Sequence, residues 1–162
     1  PIHSSAASDV YKRQSKRPPQ RQKLRLQELN RWSSFLNIKL NPEPKYFPSK
    51  SLLPSLIIIS AKVQKLENYF DLAYHIMNAL WVKNVDIDDE NVLSGILKDM
   101  SFDAKKIISF AKSNECKKIM DEYTELAIKK NVFGAPTFII EDEIYWGQDR
   151  LDFVERHLVS LS

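Results

Sequence analysis

The sequence predicts an α/β protein in which a helical array precedes a short β-hairpin and a final helix. β-Branched and aromatic side chains at residues 137–140 indicate one strand, and residues 144–146 indicate a second after a three-residue acidic turn. Apolar residues then recur at helical spacing through residues 151–161. We therefore expect a strand, turn, strand and helix unit near the C-terminal end.

Composition limits the class of protein. The chain has 162 residues, 43% of them hydrophobic, which is enough for one domain with an apolar core. Its net charge of +3 is spread along the chain, so we expect neither nucleic acid nor a membrane as a partner. The longest apolar run, residues 52–61, is shorter than the ~20 residues of a membrane span. We expect a soluble, cytoplasmic protein, with a mitochondrion or a peroxisome as the alternatives.

Helices are predicted wherever apolar residues recur every three or four positions. The first three are expected at residues 20–36, 52–63 and 66–81, and further helices are expected to start at Asp88 or Asp89, at Asp103 and at Asn114. Residues 38–40 are a candidate strand. In residues 66–81 the predicted apolar stripe consists of Phe70, Ala73, Tyr74, Met77, Leu80 and Trp81.

The N-terminal residues differ from the rest of the chain. Residues 1–19 contain no apolar periodicity, so we interpret them as a disordered or foreign leader, followed by a single domain at residues 20–162. The basic residues at positions 12–25 leave open a tail that binds nucleic acid or a membrane surface, but a solvated, mobile terminus is the favoured interpretation.

Two motifs near the C-terminal end resemble a known family. They are Phe-Gly-Ala-Pro-Thr-Phe at residues 133–138 and Trp-Gly-Gln-Asp-Arg-Leu-Asp-Phe at residues 146–153. In this register the chain resembles the 2-hydroxychromene-2-carboxylate isomerases, which with the kappa-class glutathione transferases form a DsbA-like branch of the thioredoxin fold. The resemblance implies a thioredoxin-like α/β fold, a helical insertion at about residues 52–130 and a cis bond before Pro136.

The resemblance also implies a cofactor and a binding site. The cofactor is glutathione, whose thiol would lie beside the main chain of Ala135, while its γ-glutamyl end would meet the corner after the hairpin. The predicted glutathione-binding residues are Ala135, Pro136, Trp146, Gly147, Gln148 and Asp149. Local rules leave open that Pro136 only begins a strand and that Asp149 only caps a helix. Lys50 is the predicted substrate-binding residue, although the family usually has asparagine there.

No catalytic residue can be assigned from the sequence. The family uses a serine in a Ser-Pro stretch after the first strand, and that stretch is absent from this sequence, so we expect the first strand and the active-site loop to be missing. Cys116 is the only cysteine, which excludes an internal disulfide or a Cys-x-x-Cys pair. We do not expect Cys116 or His75 to act in chemistry, and we expect no metal site.

The sequence therefore predicts a glutathione-dependent isomerase of 2-hydroxychromene-2-carboxylate or a related aromatic carboxylate, inactive as this truncated chain. A homodimer is a further expectation. The alternatives are a kappa-type glutathione transferase, a DsbA-like oxidoreductase, and a noncatalytic thioredoxin-fold module that binds a peptide at the Pro136 edge.

Overall fold

The computed structural model describes residues 18–50 and 52–161. The contacts divide these residues into two compact units, one ending at Met120 and the other starting at Asp121. Residues 1–17 lie outside the described residues, and with them most of the predicted leader. Every helix within residues 18–50 and 52–161 falls short of the length and apolar character that a membrane-spanning helix needs.

The first unit is helical, and the predicted helices are confirmed. Its helices are α1 (Pro19–Phe35), α2 (Leu53–Val63), α3 (Tyr69–Trp81), α4 (Glu90–Asp99), α5 (Ala104–Ala111) and the first turns of α6 (Asn114–Lys129).

Local chemistry sets where these helices begin. α2 has Pro54 in its first turn, where the missing N–H removes no helical hydrogen bond. The Asp89 side chain caps α4 by accepting from the main-chain N–H of Asn91 at 2.8 Å. Asp103 caps α5 in the same way, since it accepts from the N–H of Lys106 at 3.0 Å. Between the two predicted caps of α4, the structure thus selects Asp89.

Helices α2 to α5 surround the apolar core of the first unit. Its fully buried large side chains are Ile57, Leu72, Leu93, Leu97, Ile107 and Cys116. The one buried polar side chain among the described residues, Ser60, donates to the carbonyl of Ile107 at 2.9 Å and so joins α2 to α5. Such a core supplies the main stabilising term of this unit.

The predicted apolar stripe of α3 was right for Leu80 and Trp81, which contact the core, and wrong for Phe70, Tyr74 and Met77. Leu72, Ile76 and Ala79 are buried with Leu80, whereas the predicted Phe70 is 73% exposed. Tyr74 and Met77 are exposed as well. Both faces of α3 carry apolar residues at helical spacing, so periodicity alone did not identify the face that packs on the core.

The strand predicted at residues 38–40 was also wrong. α1 ends at Phe35, and the N–H of Ile38 donates back to the carbonyl of Ser33 at 3.0 Å. The Ser33 hydroxyl donates in turn to the carbonyl of Ile38 at 2.5 Å. These hydrogen bonds satisfy the N–H and carbonyl of Ile38, and residues 38–40 pair with no strand among the described residues.

The second unit contains the hairpin and confirms the strand, turn, strand and helix prediction. Strand β1 (Thr137–Ile140) pairs antiparallel with β2 (Glu143–Trp146), with Thr137 opposite Trp146. A short 3₁₀ turn, Gln148–Arg150, leads into α7 (Leu151–Ser160), which packs on β1. Within the described residues the sheet contains these two strands and no third.

Candidate functional site

The main chain before β1 forms an exposed edge. The bond between Ala135 and Pro136 is cis, as the sequence analysis predicted, and both residues are exposed. The N–H of Gly147 donates to the carbonyl of Pro136 at 3.0 Å, which extends the hairpin ladder by one step. Neither the N–H nor the carbonyl of Ala135 has a hydrogen-bond partner among the described residues. This main chain is therefore available to an extended ligand.

Trp146 forms one wall beside this edge. A Cβ atom added to Gly134 would lie 2.4 Å from the indole Nε1 of Trp146, so a side chain at position 134 would displace the ring. Phe133 contacts the other side, with 5.1 Å between the ring centroids. Trp146 is nevertheless 53% exposed, so it presents an aromatic surface next to Ala135 and Pro136.

Gly147, Gln148 and Asp149 form the corner that follows β2. Gly147 has a φ of 110°, which L-residues with a side chain rarely adopt. An added Cβ there would lie 2.4 Å from the Asp149 Oδ1 atom. The glycine therefore permits both the turn and the close approach of the carboxylate.

Asp149 does not act as a helix cap in the structure. Gly147 and Arg150 precede the 3₁₀ turn and α7, and neither helix start has a side-chain capping hydrogen bond. The Asp149 carboxylate is 46% exposed, and Oδ2 lies 3.4 Å from a guanidinium nitrogen of Arg150. The N–H groups of Gln148 and Asp149 donate to no acceptor among the described residues. The corner thus presents both a carboxylate and unpaired donors.

The structure therefore brings six predicted site residues together in the second unit: Ala135, Pro136, Trp146, Gly147, Gln148 and Asp149. The predicted substrate residue Lys50 belongs to the first unit.

Lys50 ends a loop that lines a cleft of about 580 Å³. The cleft is lined by Lys45, Tyr46, Phe47, Pro48, Lys50, Asp86 and Asp88. The Lys50 side chain is exposed, and its ammonium forms no ion pair with a carboxylate of the described residues. The bond before Pro48 is cis, and the Phe47 ring packs on Trp81 with 4.7 Å between centroids.

A family comparison covers nearly the whole chain. The model of the DSBA-like thioredoxin domain matches residues 4–159. The chain belongs to the DSBA-like thioredoxin domain family. This finding confirms the predicted thioredoxin-like fold class.

Individual relatives of this DSBA-like chain carry an enzyme name. It is 29% identical over 137 residues to 2-hydroxychromene-2-carboxylate isomerase of Sphingobium xenophagum, covering 85% of this chain and 68% of that protein. It is also 29% identical over 128 residues to the isomerase of the same name from Pseudomonas putida, covering 79% of this chain and 61% of that protein. The resemblance to this isomerase family is therefore confirmed.

A solved structure gives the same relationship. The selenomethionine form of a 2-hydroxychromene-2-carboxylate isomerase superposes with a TM-score of 0.70 at 27% identity. The alignment covers 83% of this chain and 64% of that one. The chain thus spans about three fifths to two thirds of the length of these relatives.

A polar cluster joins the hairpin of the DSBA-like chain to α7. The Tyr145 hydroxyl donates to Glu143 at 2.6 Å and lies 2.8 Å from Nδ1 of His157. Because Tyr145 has one hydroxyl proton, Nδ1 must carry the proton of the second hydrogen bond. The hydrogen bond to Glu143 raises the pKa of Tyr145, with desolvation and the Glu143 charge adding to it.

Two further chemical options receive no support. Cys116 is fully buried, and burial, followed by the charge of Glu115, raises the pKa of its thiol. A protonated, buried thiol is a poor nucleophile. Across residues 18–50 and 52–161, no three His, Cys, Asp or Glu side chains are grouped to hold a metal ion.

Sequence reasoning missed two residues that hold the loop lining the Lys50 cleft. Asp88 was considered only as a helix cap, yet its carboxylate accepts from the Ser49 hydroxyl at 2.5 Å and from the main-chain N–H of Lys50 at 2.7 Å. Asn84 was not considered, and its side-chain oxygen accepts from the N–H of Lys45 at 2.8 Å. These partners are 38 or 39 residues apart in the chain, so no local pattern indicated them.

Proposed function

We propose that the protein is a glutathione-dependent isomerase acting on 2-hydroxychromene-2-carboxylate or a related aromatic carboxylate. The observation that carries the proposal is the exposed Ala135 main chain next to the Gly147–Asp149 corner, in a chain whose relatives carry that enzyme name. The proposal assigns glutathione to the corner and the aromatic carboxylate to the Lys50 cleft.

The chemistry of the corner fits the groups of glutathione. Ala135 offers a main-chain N–H and carbonyl, which is what an amide-containing extended ligand pairs with. The Asp149 carboxylate can accept from the γ-glutamyl ammonium in a charge-assisted hydrogen bond. The N–H groups of Gln148 and Asp149 can donate to the adjoining carboxylate. Trp146 supplies an apolar surface beside them.

The Lys50 cleft fits an aromatic carboxylate. Both aspartates that line it already accept hydrogen bonds, since Asp88 binds Ser49 and Lys50 and Asp86 accepts from the N–H of Asp88 at 2.9 Å. The Lys50 ammonium forms no ion pair with a carboxylate of the described residues, so it is available to an anionic ligand group, and the Phe47 ring supplies an apolar surface. We propose that Lys50 pairs with the carboxylate of the substrate.

When bound, glutathione supplies a thiol that adds reversibly to the substrate and is released after isomerisation. The residues of this chain bind and orient the two molecules. No described residue is assigned the activation of the thiol.

Calorimetric titration of the 162-residue chain with reduced glutathione tests the corner. Asp149→Ala should weaken binding by about 1.5–3 kcal/mol, because it removes a hydrogen bond to a charged group. The matched control is Asp152→Ala, which removes an acidic side chain from the first turn of α7. This control should bind glutathione as the wild type does. Equal affinity for all three proteins would refute the proposed role of Asp149.

A turnover assay tests the reaction. Because the sequence lacks the family's Ser-Pro stretch, we expect the 162-residue chain to show no glutathione-dependent loss of 2-hydroxychromene-2-carboxylate. Absorbance spectroscopy measures that loss. A variant extended at its N-terminus with a family-like strand and Ser-Pro loop should show it. Robust turnover by the 162-residue chain would show that its own residues activate the thiol. Glutathione binding with no turnover in either protein would instead support the noncatalytic binding module.

A further inference from the structure

Asp88 connects two segments that are distant in the chain. Its Oδ1 atom accepts from the Ser49 hydroxyl, and Oδ2 accepts from the main-chain N–H of Lys50. Its own N–H donates to Oδ1 of Asp86 at 2.9 Å, which orients the residue on its loop. Both carboxylate oxygens thus hold the final two residues of the Lys45–Lys50 loop.

Two more contacts hold the rest of that loop, and a third holds the segment just before it. Asn84 accepts from the N–H of Lys45 at 2.8 Å, so the first residue of the loop is held by a side chain as well. Phe47 packs on Trp81 in the middle, and the N–H of Asn41 donates to the carbonyl of Trp81 at 2.7 Å. The loop is therefore held both by the end of α3 and by the segment between α3 and α4.

We propose that Asp88 is a positioning residue that fixes Lys50 for the carboxylate of the substrate. The inference rests on the proposed function of the Lys50 cleft. Asp88 acts through the main chain of Lys50 and does not contact the substrate. Holding a flexible lysine side chain in one position costs conformational entropy. A fixed main chain lowers this cost on binding, because it limits where the ammonium can reach.

The carboxylate of Asp88 is chemically suited to this positioning role. A carboxylate accepts on both oxygens and forms the stronger, charge-assisted class of hydrogen bond with an N–H or O–H donor. The Lys50 ammonium itself forms no ion pair with a carboxylate of the described residues, so it is available to the ligand.

A double-mutant cycle tests the inference, with calorimetric binding of 2-hydroxychromene-2-carboxylate to the 162-residue chain as the measurement. Lys50→Met should weaken binding about fivefold, the size expected when a partly exposed ion pair is lost. Asp88→Ala should weaken binding by a similar factor. The double variant should bind no more weakly than Lys50→Met alone, because Asp88 acts only through Lys50.

Asp89→Ala is the matched control. Asp89 caps α4 through Asn91 and forms no hydrogen bond with residues 45–50, so its removal should lower the melting temperature and leave the affinity unchanged. A loss of affinity in Asp89→Ala equal to that in Asp88→Ala would overturn the inference, because general destabilisation would then explain both.

The remaining outcomes separate the inference from the proposed function. Unchanged binding in Asp88→Ala, with weaker binding in Lys50→Met, would overturn the positioning role and leave the substrate cleft standing. Additive losses in the double variant would also overturn it, since Asp88 would then act independently of Lys50. Unchanged binding in Lys50→Met, or no binding by the wild type, would refute the substrate cleft and the inference together.

Discussion

The two compact units of the chain are stabilised in different ways. The unit ending at Met120 contains every fully buried apolar side chain of the described residues, among them Leu72 and Leu97 at 0% exposure. From Asp121 to residue 161 no described residue is fully buried, and Phe133 is 69% exposed. The first unit is held by a core, whereas the second depends on a two-stranded ladder and polar contacts.

This difference matters for function. All six proposed glutathione-binding residues lie in the unit without a buried core, at the end of β2 and in the segments that precede β1 and follow β2. An isolated two-stranded hairpin is at best marginally stable in water. Binding groups on exposed turns are accessible, but they gain little rigidity from packing. The corner instead gains its geometry from single contacts, such as that between Gly147 and Pro136.

The largest expected effect follows from truncating the core. Leu97→Ala removes a side chain with 0% exposure from α4 and should lower the free energy of unfolding by about 2–5 kcal/mol. Urea denaturation followed by circular dichroism measures it.

The matched control for Leu97→Ala is Leu158→Ala in α7. Leu158 is also helical but is 53% exposed, so its truncation should cost about 0.5 kcal/mol or less. Similar losses in the two variants would contradict the division into a unit with a core and a unit without one.

An intermediate effect is expected at the corner. Gly147→Ala places a Cβ on a residue with a φ of 110° and within 2.4 Å of the Asp149 carboxylate, so it should destabilise the protein by about 1–2 kcal/mol. Displacing Asp149 should also weaken glutathione binding. Denaturation and calorimetry measure the two effects.

Gly95→Ala gives the opposite result if the reasoning on Gly147 is correct. Gly95 lies within α4, and an added Cβ would have no atom within 4 Å. Alanine should therefore stabilise the protein by about 0.5–1 kcal/mol through its helix propensity. Stabilisation by both substitutions would show that the Gly147 turn is not strained by a side chain.

Sequence patterns predicted the second unit better than the packing of the first. The β-branched run before an acidic turn identified both strands, and the family motif identified the cis bond before Pro136, because both features are encoded by neighbouring residues. The predicted buried face of α3 was wrong in part, because both faces of the helix carry apolar residues and burial depends on which neighbours pack there.

The candidate functional site shows the same limit of prediction from local sequence patterns. The Gly147–Asp149 corner is contiguous in sequence, so a motif could indicate it. The contact of Asp88 with Lys50 spans 38 residues and depends on how the loop after α3 meets the loop before α2. Likewise, residues 38–40 have a strand-like composition, yet the main-chain N–H of Ile38 donates to the carbonyl of Ser33 at the end of α1 and not to a neighbouring strand. Such tertiary contacts override local propensity.

The smallest expected effect concerns the polar contacts of the second unit. Because Tyr145 donates to Glu143, the folded state disfavours the phenolate, and the pKa of Tyr145 is raised above its ordinary value of 10.0. A raised pKa means that this stabilising contribution is fully present below pH 10 and is lost as the pH rises through the folded-state pKa. The difference in unfolding free energy between the wild type and Tyr145→Phe should therefore stay constant up to pH 10 and shrink as the pH is raised above 10, measured by urea denaturation. Glu143→Gln removes the carboxylate that causes most of the shift, so in that background the difference should vary less with pH. With Glu143 intact, a difference in unfolding free energy between the wild type and Tyr145→Phe that did not vary with pH would contradict this prediction. That result would mean that the hydroxyl contact does not stabilise the hairpin, and that the second unit relies on its ladder and partly buried apolar contacts.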